Sequence, residues 1–370
     1  MSSPEVVVYG ASGYTGKLIS WHLAERGIPF VAAGRSKSHV EAEMRRVPEL
    51  ADGTYECAEA PLERSALAAL FKGKKVVYNV VGPFMPLSEP VVQAALDAGC
   101  HYLDTSGEQD WLMKLRDEYG SQFAAKERIL APTTAWMWIA GNIAAEFALE
   151  TPGIDTIDLL YFGDSNTSEA STNSFLRMCC RDQYYLKNNE LQIWPHTQVY
   201  DVVVPDDHQI FPAVPWSGGS EPIWYQHDER VRNVSVMVGF RRRDMMAWVS
   251  GRIEDWYANH RHKSVEEQEK LFKEWGAGLV ATEPDRETKD ENRSVVSCKG
   301  RGRTEGVSVV ARGNSPYIEA AVWAAECVQR LLINKNRTVG FTSPCAAFGH
   351  RELAAATAEL GYLTWDIRRD

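Results

Sequence analysis

The stretch VVVYGASGYTG, residues 6–16, decides the fold of this chain. Its valine run ends in a turn with three glycines, Gly10, Gly13 and Gly16, which are separated from one another by two residues each. A short run of β-branched residues is typical of a strand buried on both faces of a parallel sheet. The residues that follow, TGKLISWHLAERG, place apolar side chains on one face of a helix. The stretch therefore predicts a strand–turn–helix unit near the start of the chain.

A glycine-rich turn between a strand and a helix can simply reverse the chain, or it can bind a dinucleotide. In the second case the first glycine permits the turn, the second lets the backbone approach a pyrophosphate, and the third lets the helix pack closely on the strand. The start of the helix then offers N–H groups and the positive end of its dipole to the phosphates. We predict a dinucleotide-binding loop, with Tyr14 packed on the cofactor. Its residues are Gly10, Ser12, Gly13, Tyr14, Thr15 and Gly16.

Strand-like and helix-like segments alternate over residues 1–130, which predicts an α/β fold with a doubly wound, parallel Rossmann sheet. Beyond about residue 150, strand-like segments with long connections and two helical stretches predict an α+β region with a mixed or antiparallel sheet. Helical patterns return near the C-terminus, and the charge-rich stretch 283–293 is predicted to be an exposed loop. At 370 residues the chain exceeds one ordinary core, so two domains are expected.

Composition and charge argue against several classes of protein. A formal net charge of -10 is unsuited to a general nucleic-acid binder, because such proteins need surplus Lys and Arg to neutralise phosphates. The sequence has no signal-like segment and no apolar run of about 18–20 residues, which predicts a soluble, cytoplasmic protein without an integral membrane segment. The seven cysteines lack C-x-x-C spacing and the histidines lack ligand spacing, which predicts reduced thiols and no metal site.

The end of the second predicted strand, AAGRS, distinguishes between the two nicotinamide cofactors. A site for NAD usually has Asp or Glu here, which bonds the ribose hydroxyls. This chain has Arg35, which can pair with a 2′-phosphate, and Ser36, which can donate a hydrogen bond to it. NADP(H) is therefore predicted over NAD(H), the alternative being that Arg35 is only a solvent-exposed loop residue. Ser38 is expected to cap the next helix.

The stretches VVGPFMP and YLDTSGE end strands four and five, where ligands of a doubly wound sheet bind. Gly82 and Pro83 form a rigid turn that can approach the nicotinamide ribose. Thr105, Ser106 and Glu108 can face the nicotinamide ring or the substrate. The alternative is that Gly82 and Pro83 only turn the chain and that Glu108 only caps a helix.

A tyrosine can act as the general acid in a reduction. Tyr102, Tyr225 and Tyr317 are all chemically able to do so, and the sequence does not rank them. We predict Glu108 and Tyr317 as the candidate catalytic residues.

Taken in order, VVVYGASGYTGKLISWHLAERG, AGRS, VVGPF and CHYLDTSGE resemble the saccharopine dehydrogenase-like oxidoreductases, in particular the trans-acting enoyl reductase branch. The C-terminal GNSPYIEAAVWAAECVQRLL and GFTSPCAAFGHRELAAATAELGY are similar to the ending of that family. The resemblance implies a Rossmann domain over residues 1–135, an inserted α+β substrate and dimerisation domain over 136–312, and helices over 313–370 that return to the Rossmann domain. It also implies hydride transfer between NAD(P)H and a C=C or C=N bond. Inserted sheets in such enzymes commonly pair, which favours a homodimer.

One stretch departs from the family's pattern. Where many relatives carry a GFDSxPSD-like turn after strand six, this chain reads TTAWMWIAGN. Unless these tryptophans belong to the core, Phe84, Trp136 and Trp138 form an apolar wall that suits a hydrophobic ligand. We therefore predict an NADP(H)-dependent reductase of the C=C bond in a small hydrophobic enoyl or enone substrate. Saccharopine-like or imine C–N chemistry and a non-catalytic dinucleotide-binding scaffold are the open alternatives.

Overall fold

The computed structural model describes residues 3–165, 167–279, 290 and 292–369. Of the predicted charged loop 283–293, residues 283–289 and 291 lie outside the described residues. The strands of the described part are, in chain order, β1 (Val6–Tyr9), β2 (Phe30–Gly34), β3 (Tyr55–Glu59), β4 (Val76–Asn79), β5 (His101–Asp104), β6 (Ile129–Ala131), β7 (Thr156–Asp164), β8 (Tyr184–Lys187), β9 (Glu190–Ile193), β10 (Tyr200–Val203), β11 (Ile210–Val214), β12 (Asn233–Phe240), β13 (Arg293–Arg301), β14 (Gly306–Gly313), β15 (Gly340–Phe341) and β16 (Leu363–Arg369).

The α-helices of the described part are α1 (Tyr14–Glu25), α2 (Lys37–Met44), α3 (Arg64–Phe71), α4 (Phe84–Leu87), α5 (Glu89–Ala98), α6 (Gln109–Lys114), α7 (Gly120–Ala125), α8 (Trp136–Leu149), α9 (Glu169–Cys179), α10 (Glu221–Tyr225), α11 (Arg243–Asp255), α12 (Val265–Leu279), α13 (Pro316–Leu332), α14 (Pro344–Phe348) and α15 (His350–Ala358). Short 3-10 turns lie at Pro48–Leu50 and Trp216–Gly218, and π-helical segments lie at Leu115–Tyr119 and Trp256–His260.

The chain divides into two compact units, of which the first comprises Met1–Ser106, Asp110–Ile139 and Tyr317–Glu359. Its sheet has seven strands in the order β15-β6-β5-β4-β1-β2-β3, and each neighbouring pair is parallel. The predicted doubly wound Rossmann sheet is therefore confirmed. All four residues of β1 are buried and both of its edges are paired, which explains why the strand is a continuous apolar run.

The C-terminal part of the first unit adds a strand and helices to this sheet. β15 pairs in parallel with β6, in the register Gly340↔Ile129. Trp323 on α13 is fully buried, and its indole N–H donates to the carbonyl oxygen of Leu353 on α15 at 2.8 Å. These contacts attach residues distant in sequence to the Rossmann sheet.

The second unit comprises Gly107–Gln109, Ala140–Pro316 and Leu360–Asp370. Its sheet has nine strands, seven of them in the order β10-β11-β12-β7-β13-β14-β16, while β8 pairs with β12 and with β9. β12 and β7 are parallel, and the other pairs are antiparallel. The predicted mixed sheet is therefore confirmed.

The division between the units differs from the predicted boundaries in four places. Residues 313–370 were expected to return to the Rossmann domain as a whole, but β16 pairs with β14 in the second sheet. Its sequence, LTWDIRR, alternates apolar and polar side chains with the period of a strand rather than a helix. The second difference is that residues 107–109 belong to the second unit, and the third is that 136–139 belong to the first. The fourth is that residues 313–316 belong to the second unit.

Candidate functional site

The predicted dinucleotide loop connects β1 to α1 in the first unit. Gly10 has a φ of +93°, which glycine adopts without steric cost, and its N–H donates to the carbonyl oxygen of Ala33 at 2.8 Å. Gly13 is the N-cap residue of α1, and no side chain caps this helix. Because the first N–H groups of a helix have no intrahelical partner, the start of α1 is suited to receive a phosphate.

The glycines at positions 13 and 16 meet different surroundings. A Cβ atom on Gly16 would lie 2.5 Å from the carbonyl oxygen of Gly10 and 2.8 Å from the Cα of Ala11. A Cβ atom on Gly13 would meet the same Gly10 oxygen at 3.4 Å, which is an ordinary contact. The packing of helix on strand therefore requires Gly16, whereas Gly13 has room for a side chain in this structure.

Tyr14 and Tyr317 lie together in the first unit. Their rings meet edge to face, with 5.0 Å between centroids and an interplanar angle of 84°, and both side chains are half-buried. Tyr14 begins α1, Thr15 follows it in the same turn, and Tyr317 lies at the start of α13. One of the two predicted catalytic residues thus contacts the glycine loop.

A cavity of about 400 Å³ lies at the carboxyl end of β2. Its lining consists of Ser12, Arg35, Ser36, His39 and Val40. Arg35 is exposed, and its guanidinium has no hydrogen-bond or ion-pair partner among the described residues. The structure thus brings three predicted cofactor residues around one cavity. It also adds His39, which the sequence analysis missed because a histidine on a helix has no distinctive spacing.

Ser36, and not Ser38, is the N-cap residue of α2. Its Oγ accepts a hydrogen bond from the N–H of His39 at 3.4 Å and lies 3.1 Å from the Oγ of Ser38. The prediction for Ser38 is wrong because α2 begins at Lys37, earlier in the sequence than the apolar pattern indicates. The Ser36 hydroxyl can still donate its hydrogen to a ligand while its oxygen caps the helix.

The turn after β4 contains Gly82 and Pro83. Gly82 is exposed, and Pro83 is the N-cap residue of α4. Phe84, the first residue of α4, is 5% exposed and belongs to the apolar core of the first unit. The turn therefore presents its backbone at the surface, while the predicted substrate residue Phe84 packs inward.

Asp104 closes β5 and is fully buried. Its carboxylate accepts five hydrogen bonds of 2.7 to 3.1 Å, from the N–H and Oγ of Ser106, the N–H of Thr133, the OH of Tyr102 and the Nε1 of Trp111. Burial raises the pKa of Asp104, and the bonds from Ser106, Thr133 and Trp111 oppose that rise. One carboxylate thus ties the turn after β5 to the turn after β6.

This network determines what Ser106 can offer a ligand. Ser106 donates its hydroxyl hydrogen to Asp104, so its oxygen is left to accept. The N–H and the Oγ1 hydroxyl of Thr134 both donate to the main-chain oxygen of Asp104, at 2.8 and 2.9 Å. The main-chain oxygen of Thr134 accepts a hydrogen bond from the OH of Tyr78 at 2.8 Å. The sequence analysis missed Asp104, although its place at the end of HYLD, directly before the predicted site, was the available signal.

Trp136 and Trp138 both lie in the first unit. Trp136 is 7% exposed and Trp138 is 0% exposed. The backbone is not helical at Met137 and Trp138, although both lie within the bounds of α8. The structure therefore makes Trp138 a core side chain and leaves Trp136 with a small exposed surface.

Glu108 lies in the segment of the chain that belongs to the second unit. Its side chain is fully buried and pairs with Arg177 on α9 at 2.7 Å, while the Oγ of Ser174 donates to it at 3.3 Å. Glu269 on α12 lies 3.4 Å from the same guanidinium. The Glu108 carboxylate is therefore engaged by an arginine and a serine of its own unit.

A second buried carboxyl group of this unit is Glu221, at the start of α10. The OH of Tyr161 donates to its Oε1 at 2.7 Å and accepts the N–H of Gly141 at 2.7 Å. Burial raises the pKa of Glu221 to about 8. Tyr225, one of the tyrosines able to act as an acid, donates to Glu146 at 2.8 Å.

The described part of the chain contains no group of three or more His, Cys, Asp and Glu side chains that could hold a metal ion. Nor does any helix within it combine the length and apolar character needed to cross a membrane. All seven cysteines are free thiols, and six of them are buried.

Comparison with known protein families gives two matches. Residues 6–125 match the saccharopine dehydrogenase NADP binding domain, so the first unit carries a domain of that type. Residues 139–367, more than half of the chain, match the family of unknown function DUF5938. The chain belongs to this family. The predicted resemblance to saccharopine dehydrogenase-like oxidoreductases is confirmed.

Two relatives are similar over part of their length. The lipid droplet localized protein of Caenorhabditis elegans is 32% identical over 179 residues, which cover 46% of this chain and 40% of that protein. The trans-acting enoyl reductase of Mycobacterium tuberculosis is 36% identical over 125 residues, which cover 32% of this chain and 29% of that protein. The chain thus spans about two fifths or less of the length of these relatives.

A solved structure is similar over its whole length. Apo histidine-tagged saccharopine dehydrogenase (L-Glu forming) from Saccharomyces cerevisiae superposes with a TM-score of 0.64, covering 99% of this chain and 100% of that chain. The sequence identity is 12%, so the similarity concerns the fold alone.

Proposed function

We propose that the protein is an NADP(H)-dependent oxidoreductase that reduces a C=C bond in a small hydrophobic substrate. The observation that carries this proposal is the cavity at the end of β2, where Arg35 has no partner among the described residues. A guanidinium without a protein carboxylate is suited to an anionic ligand. In a Rossmann sheet, the group that reaches the end of the second strand is the adenosine ribose, and NADP carries a phosphate there.

The first unit offers groups for each part of the dinucleotide. The glycine loop would hold the pyrophosphate, and Arg35 with Ser36 would hold the 2′-phosphate. Ser106 would accept a hydrogen bond from the nicotinamide amide, beside the backbone of Gly82 and Pro83. When bound, the nicotinamide supplies the hydride. The loop residues in contact would be Gly10, Ser12, Gly13, Tyr14, Thr15 and Gly16.

Of the two predicted catalytic residues, Tyr317 is the better proton donor. Its phenol lies on Tyr14 of the glycine loop, and a phenol can protonate the carbon next to the one that is reduced. Glu108 is paired with Arg177, so we assign it to holding residues 107–109 in place rather than to proton transfer.

The choice of substrate rests on two relatives and on one side chain. One relative is named a trans-acting enoyl reductase, and an enoyl group is an acyl group with a C=C bond. The other is named a lipid droplet localized protein, and a lipid droplet is an apolar phase. Trp136 is 7% exposed and lies near the end of the segment Asp110–Ile139 of the first unit. These observations support an unsaturated acyl or enone substrate over a charged amino acid.

The cofactor is tested by titrating NADPH and NADH against the wild type, Arg35→Ala and Arg64→Ala. Arg64 is an exposed arginine of the same unit that is paired with Asp97 at 2.7 Å, so it serves as the matched control. We expect the wild type and Arg64→Ala to prefer NADPH by at least about tenfold. Arg35→Ala should lose about ten- to a hundredfold in affinity for NADPH and retain its affinity for NADH. Failure of the wild type to bind either cofactor would overturn the proposal.

The reaction is tested by offering the NADPH complex α,β-unsaturated acyl thioesters, enones and cyclic imines, and following loss of NADPH absorbance. We expect turnover of the C=C substrates, and a loss of about a hundredfold in kcat for Tyr317→Phe. Turnover of imines alone would support C–N chemistry instead. A complex that binds NADPH and turns over none of these compounds would support a non-catalytic scaffold.

A further inference from the structure

The start of α2 lies beside the cavity of Arg35, and its N–H groups are in part already used. The N–H of Lys37 donates to Oε2 of Glu59, at the end of β3, at 3.0 Å. The N–H of His39 donates to the Oγ of Ser36 at 3.4 Å. A phosphate in this cavity therefore has fewer main-chain donors to bind than a helix start normally offers. Side chains must supply the positive charge.

Two side chains of the lining can do so. Arg35 carries a permanent charge and has no partner among the described residues. His39, one turn into α2, lines the same cavity and is exposed. An imidazole ring offers N–H donors and, when protonated, a positive charge to an anion.

The charged and titratable groups around His39 are of both signs. Glu43 follows it on α2, and the two charges interact. Although burial acts to raise it, the pKa of Glu43 is lowered by the hydrogen bond and the charge of Lys17 on α1. The other charged or titratable side chains are Lys37 and Glu41 on α2, Arg45 and Arg46 just after α2, Arg35 after the end of β2, and Glu56, Cys57 and Glu59 on β3. Since Lys17 and Arg46 both pair with Glu43, that carboxylate is shared among several cations.

We propose that His39 is a specificity-determining residue for the cofactor, acting beside Arg35 as a second cation on the 2′-phosphate of NADP(H). This inference rests on the proposed function and adds a property to it, which is a second contribution to the preference for NADPH over NADH beside that of Arg35. Glu59 acts in the opposite direction, because its carboxylate lies at the first N–H of the same helix.

A phosphate monoester takes its second negative charge near pH 6, so above that pH the 2′-phosphate is mainly a dianion. Loss of a cationic side chain from the cavity should therefore weaken NADPH binding. NADH lacks the 2′-phosphate, so its affinity should not change. The ratio of the two affinities isolates the effect.

The experiment measures dissociation constants of NADPH, NADH and adenosine 2′,5′-bisphosphate at one pH and constant ionic strength. It compares the wild type with His39→Gln, His39→Lys and Glu59→Gln. His208→Gln serves as the matched control, because His208 is an exposed histidine of the second unit. Circular dichroism confirms that each variant is folded.

We expect His39→Gln to lose about two- to fivefold in affinity for NADPH and the bisphosphate, with its affinity for NADH unchanged. His39→Lys should bind NADPH at least as tightly as the wild type, and His208→Gln should match the wild type. Glu59→Gln should tighten NADPH binding. An unchanged ratio of NADPH to NADH affinity in His39→Gln, with NADPH still bound, would overturn this inference alone. Absence of NADPH binding by the wild type would overturn the proposed function as well.

Discussion

Two arginines, one in each unit, differ in whether their charge is paired with a carboxylate of the protein. In the second unit, the Arg177 side chain is 6% exposed and lies 2.7 Å from Glu108 and 3.4 Å from Glu269. In the first unit, Arg35 is exposed beside a cavity and has no partner among the described residues. The second unit satisfies this charge within the protein, whereas the first keeps one available for a ligand.

The difference follows from the cost of removing a charge from water. A buried ion without a partner costs several kcal/mol, so a buried arginine is found with carboxylates. An exposed arginine stays hydrated, so it can remain unpaired until a ligand binds, at little cost to stability. The comparison therefore separates residues whose loss should unfold the protein from residues whose loss should only weaken binding.

The largest effect is expected from Arg177→Ala, because it removes the cation that is paired with the buried Glu108 carboxylate. We expect the free energy of unfolding to fall by about 3–5 kcal/mol, measured by urea denaturation and circular dichroism. Arg301→Ala is the control, because Arg301 pairs with Asp158 at 2.6 Å in the same unit but is 62% exposed. Its loss should cost about 1 kcal/mol or less. Equal effects of the two substitutions would contradict the comparison.

The next effect concerns Glu221, a buried carboxyl group of the second unit. Burial raises the pKa of Glu221 to about 8, against 4.5 for an ordinary glutamic acid, so the folded state holds its proton more tightly than the unfolded state. The resulting stability is fully present below about pH 4.5 and is lost as pH rises towards 8, at about 1.4 kcal/mol per pH unit.

Glu221→Gln, which mimics the protonated form, should remove this dependence. Relative to the variant, the wild type should lose roughly 2–3 kcal/mol of unfolding free energy between pH 5.5 and 7.5. Urea titrations at several pH values measure this difference. Glu254→Gln, at an exposed position of the same unit, should leave the wild-type pH dependence in place. Parallel curves for the wild type and Glu221→Gln would show that Glu221 is charged in the folded protein.

The sequence was informative about the first unit because its signals are local. A valine run, three glycines and Arg35 all lie within about thirty residues, and each expresses a requirement of one strand or one turn. The cavity at the end of β2 gathers Ser12, Arg35 and Ser36 because parallel strands end at the same edge of the sheet. His39 was missed because helix α2 begins at Lys37, which brings its first turn to that edge.

The second unit was predicted less well because its contacts are distant in sequence. Glu108 pairs with a residue on α9, far along the chain, and no spacing in the sequence announces such a pair. The network of Asp104 has the same character, since Thr133 and Trp111 reach it from separate segments. Strand β16 was missed because its pattern follows a helical stretch and its partner β14 lies before that stretch. Sequence periodicity identifies elements but not their distant partners.

The glycine loop provides the third test, because two of its glycines should fail in different ways. Gly16→Ala places a Cβ atom 2.5 Å from the Gly10 carbonyl oxygen, so it should cost about 1–3 kcal/mol of unfolding free energy and disturb the loop. Gly13→Ala meets that oxygen at 3.4 Å and should change stability by about 0.5 kcal/mol or less. If a pyrophosphate approaches Gly13, this variant should nevertheless lose at least about tenfold in NADPH affinity. Normal NADPH binding by a stable Gly13→Ala would show that the loop is only a turn.

The smallest effect on stability is expected from Arg35→Ala. Like Arg177→Ala it replaces an arginine with alanine, but Arg35 has no hydrogen-bond or ion-pair partner among the described residues. Without ligand, its free energy of unfolding should lie within about 0.5 kcal/mol of the wild type. At a hundred times the dissociation constant, NADPH should stabilise the wild type by about 2.7 kcal/mol, and a ten- to hundredfold weaker variant by about 0.4–1.4 kcal/mol at the same concentration. Thermal and urea unfolding with and without NADPH measure both quantities. A loss of several kcal/mol without ligand would mean that Arg35 serves the fold as Arg177 does, and the distinction between the two units would then not hold.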